Sequence, residues 1–105
     1  MSKVLIVFYS RDGSTEALAG AVAEGAAEAG ADVRLRRLRE LVDARTMDFV
    51  PGWQESATRM NALYEAPSPD DMVWADAVIF GSPTHFGLIA AELKAFLDSL
   101  GGLWV

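Results

Sequence analysis

Val4-Leu5-Ile6-Val7-Phe8-Tyr9 runs without a charged side chain or a turn former. A strand with one wet face alternates apolar and polar residues, because successive side chains point to opposite sides. An unbroken apolar run needs cover on both sides, which a parallel sheet with helices on its two faces supplies. The residues that follow complete a strand–turn–helix unit. Ser10 to Thr15 is a cluster of turn formers, and Glu16 to Ala29 is alanine-rich. Ala17, Leu18, Ala21, Val22, Gly25, Ala26 and Ala29 fall on one helical stripe, expected to face the core. Ser14 or Thr15 is the expected N-cap and Gly30 the stop.

The pattern continues down the chain. Val33 and Leu35 alternate with Arg34 and Arg36, as in a shorter, half-exposed strand. Arg34, Arg36, Arg37 and Arg39 read as a solvated strand edge. Leu38 to Ala44 suits one or two helical turns, Pro51-Gly52 breaks the chain, and Gln54 to Leu63 has helical propensity. Ser68, between Pro67 and Pro69, suits the cap of a short helix over Asp70 to Trp74. Asp70, Asp71 and Asp76 read as caps and solvated charges. Ala77 to Gly81 is a further buried strand. Leu88 to Leu100 reads as a helix with Ile89, Leu93, Phe96, Leu97 and Leu100 on one face, ended by Gly101-Gly102. Strands alternating with helices give an α/β fold with right-handed crossovers, and residues 1–105 read as one domain.

Composition narrows the function. Of 105 residues, 51% are hydrophobic, enough to build a core. There is no cysteine, which excludes disulfides, thiolate metal sites and cysteine nucleophiles, and fits a reducing cytoplasm. Fifteen acidic against nine basic residues give a net charge of −6, the wrong sign for a nucleic-acid surface. No apolar run reaches the length of a membrane span, and Val4 to Tyr9 is too short for a signal-peptide core. No metal-ligand pattern and no serine–histidine–acid constellation stands out.

In such sheets ligands sit beyond the carboxyl ends of the strands, where the strand order reverses. Two loops leave those ends. Ser10, Arg11, Asp12, Gly13, Ser14 and Thr15 put hydroxyls and free N–H groups at the positive end of a helix dipole, an anion site. The loop lacks both GxxxxGK[ST] and GxGxxG. Hydroxyls and amides alone suit a monophosphate; the other reading is a serine-capped helix after a tight turn. The second loop, Ser82 to Gly87, adds ring chemistry. Pro83 stiffens it, Thr84 and the backbone offer hydrogen bonds to a heterocycle edge, Phe86 offers a face, and Gly87 permits close approach. His85, the only histidine, reads either as a charge partner and donor or as a plain surface residue.

Three segments in order, "KVLIVFYSRDGSTEALAGAVAEGA", "ADAVIFGSPTHFG" and "LKAFLDSLGGLW", resemble flavodoxin-like NAD(P)H:quinone oxidoreductases of the WrbA type. The resemblance implies a doubly wound sheet, FMN as cofactor, NAD(P)H as electron donor and a quinone as acceptor. It implies that Ser10 to Thr15 hold the phosphate, that Pro83, Thr84, His85, Phe86 and Gly87 border the ring, and that Trp104 lies near the ring and the substrate. Phe86 and Trp104 are then expected at the site, with Trp53 and Trp74 away from it. No side chain need be a catalytic acid or base. The sequence departs from the family at Asp12, where an aromatic is frequent, and at His85, where arginine is usual. It also stops after the third strand and its helix. The expected sheet is therefore three-stranded, order 2-1-3, with strand 77–81 at a bare edge through which the chain is expected to self-associate. A quinone reductase module, an FMN electron carrier and a flavin-free, self-assembling half-domain all meet this description.

Overall fold

The computed structural model describes residues 1–103. In chain order these form β1 (Lys3–Phe8), α1 (Ser14–Glu28), β2 (Asp32–Arg37), α2 (Ala44–Met47), α3 (Trp53–Leu63), α4 (Pro69–Trp74), β3 (Ala77–Gly81), β4 (Thr84–His85), β5 (Leu88–Ile89) and α5 (Ala91–Ser99), then a 3-10 turn over Leu100–Leu103. β1, β2 and β3 make a parallel sheet in the order β2-β1-β3, with Val4 opposite Val33 on one side and Ala77 on the other. This is the α/β arrangement that the alternation of elements predicts, in the flavodoxin-like order that the family resemblance implies.

The unbroken apolar run explains itself in the packing. Leu5, Val7 and Tyr9 enter a core with Leu38, Ala90 and Leu93, while Ile6 and Phe8 enter a second one with Ala19. β1 thus feeds alternate side chains into two cores, one on each face, and none from Leu5 to Tyr9 is more than 1% exposed.

Several expectations are corrected. The face of α1 that meets the sheet carries Ala19 and Ala23, and Leu18 and Val22 stand exposed. Small residues let the helix lie close on the sheet, whereas the predicted stripe points past the β3 edge. Gly13, with φ 111°, is the N-cap of α1, so Ser14 is already helical; glycine reaches that left-handed conformation without steric cost. Leu38 to Asp43 is irregular, and the helical turn lies later, in α2, where the Asp43 carboxylate accepts from the Thr46 N–H at 2.9 Å. Leu88 and Ile89 form a strand, not the start of α5. Asp71 is indeed part of a cap, closing a capping box with Ser68, but it is buried and bonds Arg34 at 3.0 Å and Arg36 at 3.2 Å. β3 lies at the edge, as the order 2-1-3 requires, but it is not the buried strand that its apolar run predicts, with Ile79 40% and Phe80 39% exposed. Among the described residues no helix is long and apolar enough to cross a membrane.

Candidate functional site

Phe8 pairs with Gly81 at the carboxyl ends of β1 and β3, so the two loops leave the sheet side by side. Gly81 makes their contact close. A Cβ on it would lie 3.3 Å from the Thr15 Cγ2.

The first loop is tied by its own side chains. The buried Ser10 Oγ accepts from the Gly13 N–H at 3.0 Å, and the Asp12 Oδ1 accepts from the Ser14 N–H at 3.0 Å. The N–H groups of Thr15 and Glu16, in the first turn of α1, find no acceptor among the described residues. The Ser14 N–H bonds hold the Asp12 carboxyl below the usual carboxylate range, so the loop carries a negative charge beside its free donors. Arg59 of α3 brings a cation to the same place. It bonds Glu16 at 2.7 and 3.1 Å, and its Nη2 would lie 3.7 Å from a Cβ on Gly13. The Tyr64 hydroxyl adds a third bond to Glu16 at 2.7 Å. The Arg59 hydrogen bonds keep the Glu16 carboxyl below its usual range.

A charged network lies beneath this loop, where the sequence suggests a solvated edge. Arg37 is fully buried. It donates to the Ser10 carbonyl at 2.8 Å, to both Glu40 oxygens at 2.7 and 3.1 Å, and to the Asn61 Oδ1 at 2.6 Å. Glu40 also accepts from the Tyr9 hydroxyl at 3.1 Å and the Trp53 Nε1 at 3.2 Å. Burial pushes the Glu40 carboxyl up, but the hydrogen bonds and charge of Arg37 outweigh it and hold the group below its usual range. Burial, then the charges of Glu40 and Glu92, push the Tyr9 phenol up to about 12. Neither Arg37 nor Glu40 stands out in the sequence. The one local signal is their i,i+3 spacing just after a strand.

The second loop is a hairpin. β4 pairs antiparallel with β5, and Phe86 (φ 53°) and Gly87 (φ 80°) form the turn between them. Two positive φ values in a two-residue turn suit the twist of the flanking strands. Ser82 secures the base, donating to the Pro83 carbonyl at 2.8 Å and accepting from the Ala90 N–H at 2.9 Å. Phe86 stands wholly exposed at the tip.

The loops share a cleft of about 850 Å³ whose lining includes Arg11, Thr84, His85, Phe86, Leu88 and Lys94. The His85 ring meets the Tyr9 ring edge to face, with centroids 6.4 Å apart. The Arg11 guanidinium lies 4.0 Å over the Trp53 ring, so Trp53 stands against the first loop rather than away from both. Trp74 lies under Arg34, 4.1 Å from its guanidinium, and packs on the core. Trp104 lies outside the described residues.

The chain matches the family described as NADPH-dependent FMN reductase over residues 2–104. It is similar to proteins called "NAD(P)H dehydrogenase (quinone)" from three organisms. The relative from Archaeoglobus fulgidus is 38% identical over 105 residues, covering 100% of this chain and 54% of that protein. The one from Deinococcus radiodurans is 42% identical over 102 residues, 97% of this chain and 50% of that protein. The one from Cupriavidus metallidurans is 42% identical over 107 residues, 100% of this chain and 50% of that protein. The chain therefore spans about half the length of the curated relatives it matches.

Proposed function

Because the chain belongs to the NADPH-dependent FMN reductase family, we propose that it is the FMN-binding amino-terminal half of a WrbA-type NAD(P)H:quinone oxidoreductase. The observation that carries this reading is the close contact of the two loops, where a Cβ on Gly81 would lie 3.3 Å from the Thr15 Cγ2; it supports one site with the first loop at the phosphate and the hairpin at the ring.

The donor set suits the FMN phosphate. The N–H groups of Thr15 and Glu16, which have no acceptor among the described residues, the Thr15 hydroxyl and the positive end of α1 favour a phosphate at the loop. Arg59 adds a nearby cation. Asp12 opposes binding, being charged and occupying the Ser14 N–H. Pro83 and Thr84 are assigned to the ring edge, Phe86 to its face, and Arg11, His85 and Gly87 to its surroundings. Bound FMN supplies a ring that accepts a hydride from a nicotinamide and passes electrons to a quinone. Trp104 is assigned to the quinone side. Cytoplasmic residence belongs to the same reading.

Self-association is its second part. β3 presents unpaired backbone groups along an apolar edge, which another strand can extend. The exposed Leu18, Val22, Ile79 and Phe80 border this edge and suit a second copy of the chain.

An absorbance and FMN-titration experiment tests the function, followed by NAD(P)H oxidation with a quinone present. Flavin binding and quinone-dependent turnover are expected. Binding without turnover would favour an electron carrier, and a chain that FMN cannot turn yellow would overturn the reading.

A further inference from the structure

We propose that the buried Arg37–Glu40 pair consists of positioning residues for the first loop and gives the site its selectivity for the phosphate of the flavin. The inference rests on the assignment of Ser10 to Thr15 as the phosphate loop.

A buried ion pair is a poor device for stability, since apolar residues of similar volume in its place frequently do as well or better. Its geometry is what an apolar pair cannot copy. Arg37 is wholly buried and gives one Nη to the Ser10 carbonyl at 2.8 Å. The Oγ of the same serine holds the Gly13 N–H at 3.0 Å. Ser10 is thus fixed from below and from the side. Its carbonyl dipole, which would repel an anion, points at a guanidinium inside the protein, while the Thr15 and Glu16 N–H groups have no acceptor among the described residues.

Glu40 extends the hold to the rest of the site. Through its bond to the Trp53 Nε1 at 3.2 Å it fixes the ring on which Arg11 lies. Through the Tyr9 hydroxyl at 3.1 Å it fixes the ring against His85. One carboxylate therefore ties together residues that touch both loops, without itself lining the cleft.

The test is a titration of the 105-residue chain with FMN and with riboflavin, which differ only in the phosphate, followed by flavin fluorescence. Three proteins are compared: the parent, Arg37→Lys, and the double variant Arg37→Met with Glu40→Leu. Lysine keeps a charge opposite Glu40 but lacks the fork that reaches the Ser10 carbonyl. The double variant leaves no buried charge alone. The parent is expected to prefer FMN over riboflavin. Both variants are expected to lose about tenfold or more in FMN affinity, the scale of one hydrogen bond to a charged group. In Arg37→Lys, which leaves Glu40 bonded to Trp53 and Tyr9, riboflavin affinity is expected to hold. If the double variant does not fold, Arg37→Lys decides alone. A retained preference for FMN in the folded variants, or equal losses for both ligands in Arg37→Lys, overturns the inference and leaves the loop assignment standing. A parent that does not distinguish FMN from riboflavin overturns the loop assignment, and the inference with it.

Discussion

Gly81 and Thr15 meet where no other residue could replace the glycine unchanged: a Cβ on Gly81 would stand 3.3 Å from the Thr15 Cγ2 and 3.4 Å from the Phe8 Cβ. Thr15 sits in the first turn of α1 and Phe8 is wholly buried in β1, so an added methyl has to push the two elements apart by a few tenths of an ångström. Gly81→Ala is expected to lower the unfolding free energy by about 1 kcal/mol, and Gly81→Val by about 2–3 kcal/mol, as for overpacking. Urea midpoints at constant slope measure this; an alanine variant as stable as the parent would show that α1 moves away freely.

Thr15 divides its two substituents between two tasks. Its methyl touches Gly81, and its hydroxyl is assigned to the phosphate. Thr15→Val keeps a methyl for that contact and should unfold like the parent, yet bind FMN more weakly by about 1–2 kcal/mol, the scale of a charge-assisted hydrogen bond. Equal FMN affinity in the valine variant removes the hydroxyl from the site.

Phe86 occupies a left-handed conformation that a large side chain rarely adopts, and it is wholly exposed. Asn-Gly is the favoured pair in such a turn. Phe86→Asn is therefore expected to raise stability by about 0.5–1 kcal/mol. If the ring serves as a flavin face, the same variant binds flavin less tightly. A gain in thermal midpoint together with a loss in flavin affinity is the expected pair of results; a loss of stability would mean that the turn does not need positive φ.

These three positions show how far the sequence could be read. The strands are legible because Val4 to Tyr9 and Ala77 to Gly81 are set by short-range pattern, and the sheet order is the one that the family resemblance implies. The hairpin was not, because Leu88 and Ile89 fit the same apolar stripe as Leu93 and Phe96, and its turn puts a phenylalanine at positive φ. Arg37 reads as solvated in the sequence because, although its counter-charge Glu40 is only three residues on, the elements that bury the pair and its further partners Ser10 and Asn61 come from 27 and 24 residues away. A buried charge reveals itself only through partners that the fold assembles. Periodicity puts Leu18 and Val22 on the core-facing stripe because it names an apolar face without saying what covers it.

Carboxyl and phenol groups set opposite pH limits. Arg59 holds Glu16 low; for Glu40 and Asp71, burial pushes upward but arginine and amide contacts prevail. In each case the unfolded chain takes up protons first, so the stability they contribute is full at neutral pH. It begins to fall near pH 4, where free carboxylates titrate, and is lost below the folded values. Tyr9 works in the other direction. Its phenol is pushed up to about 12, so the unfolded chain loses its proton first, near pH 10, and stability declines from there upward. Urea midpoints across pH should form a plateau with these two edges, and the phenolate absorbance of Tyr9 should appear late. A Tyr9 that ionises normally while the chain is still folded would show that its burial has no such effect.

The β3 edge gives a prediction about assembly. Ile79→Lys places a charge on a strand position that is 40% exposed, a device that discourages edge pairing. Light scattering is expected to show a self-associated parent and a monomeric variant, each with cooperative unfolding. A parent of monomer mass at micromolar concentration would remove β3 as an assembly edge.

β1 sits at the centre of the sheet, between neighbours that arrive at different times. Its first residue, Lys3, donates its N–H to the Asp76 carboxylate and accepts from the Asp76 N–H, although Asp76 lies 73 positions later in the chain. On the ribosome, Val4 to Tyr9 therefore emerges long before the strand that completes its cover. At roughly 5–20 residues per second the wait is about 4–15 s. Throughout that interval the most apolar segment of the amino-terminal region has no partner on one side. The central position that makes β1 the best-protected strand of the folded chain makes it the segment most in need of a chaperone in the nascent one.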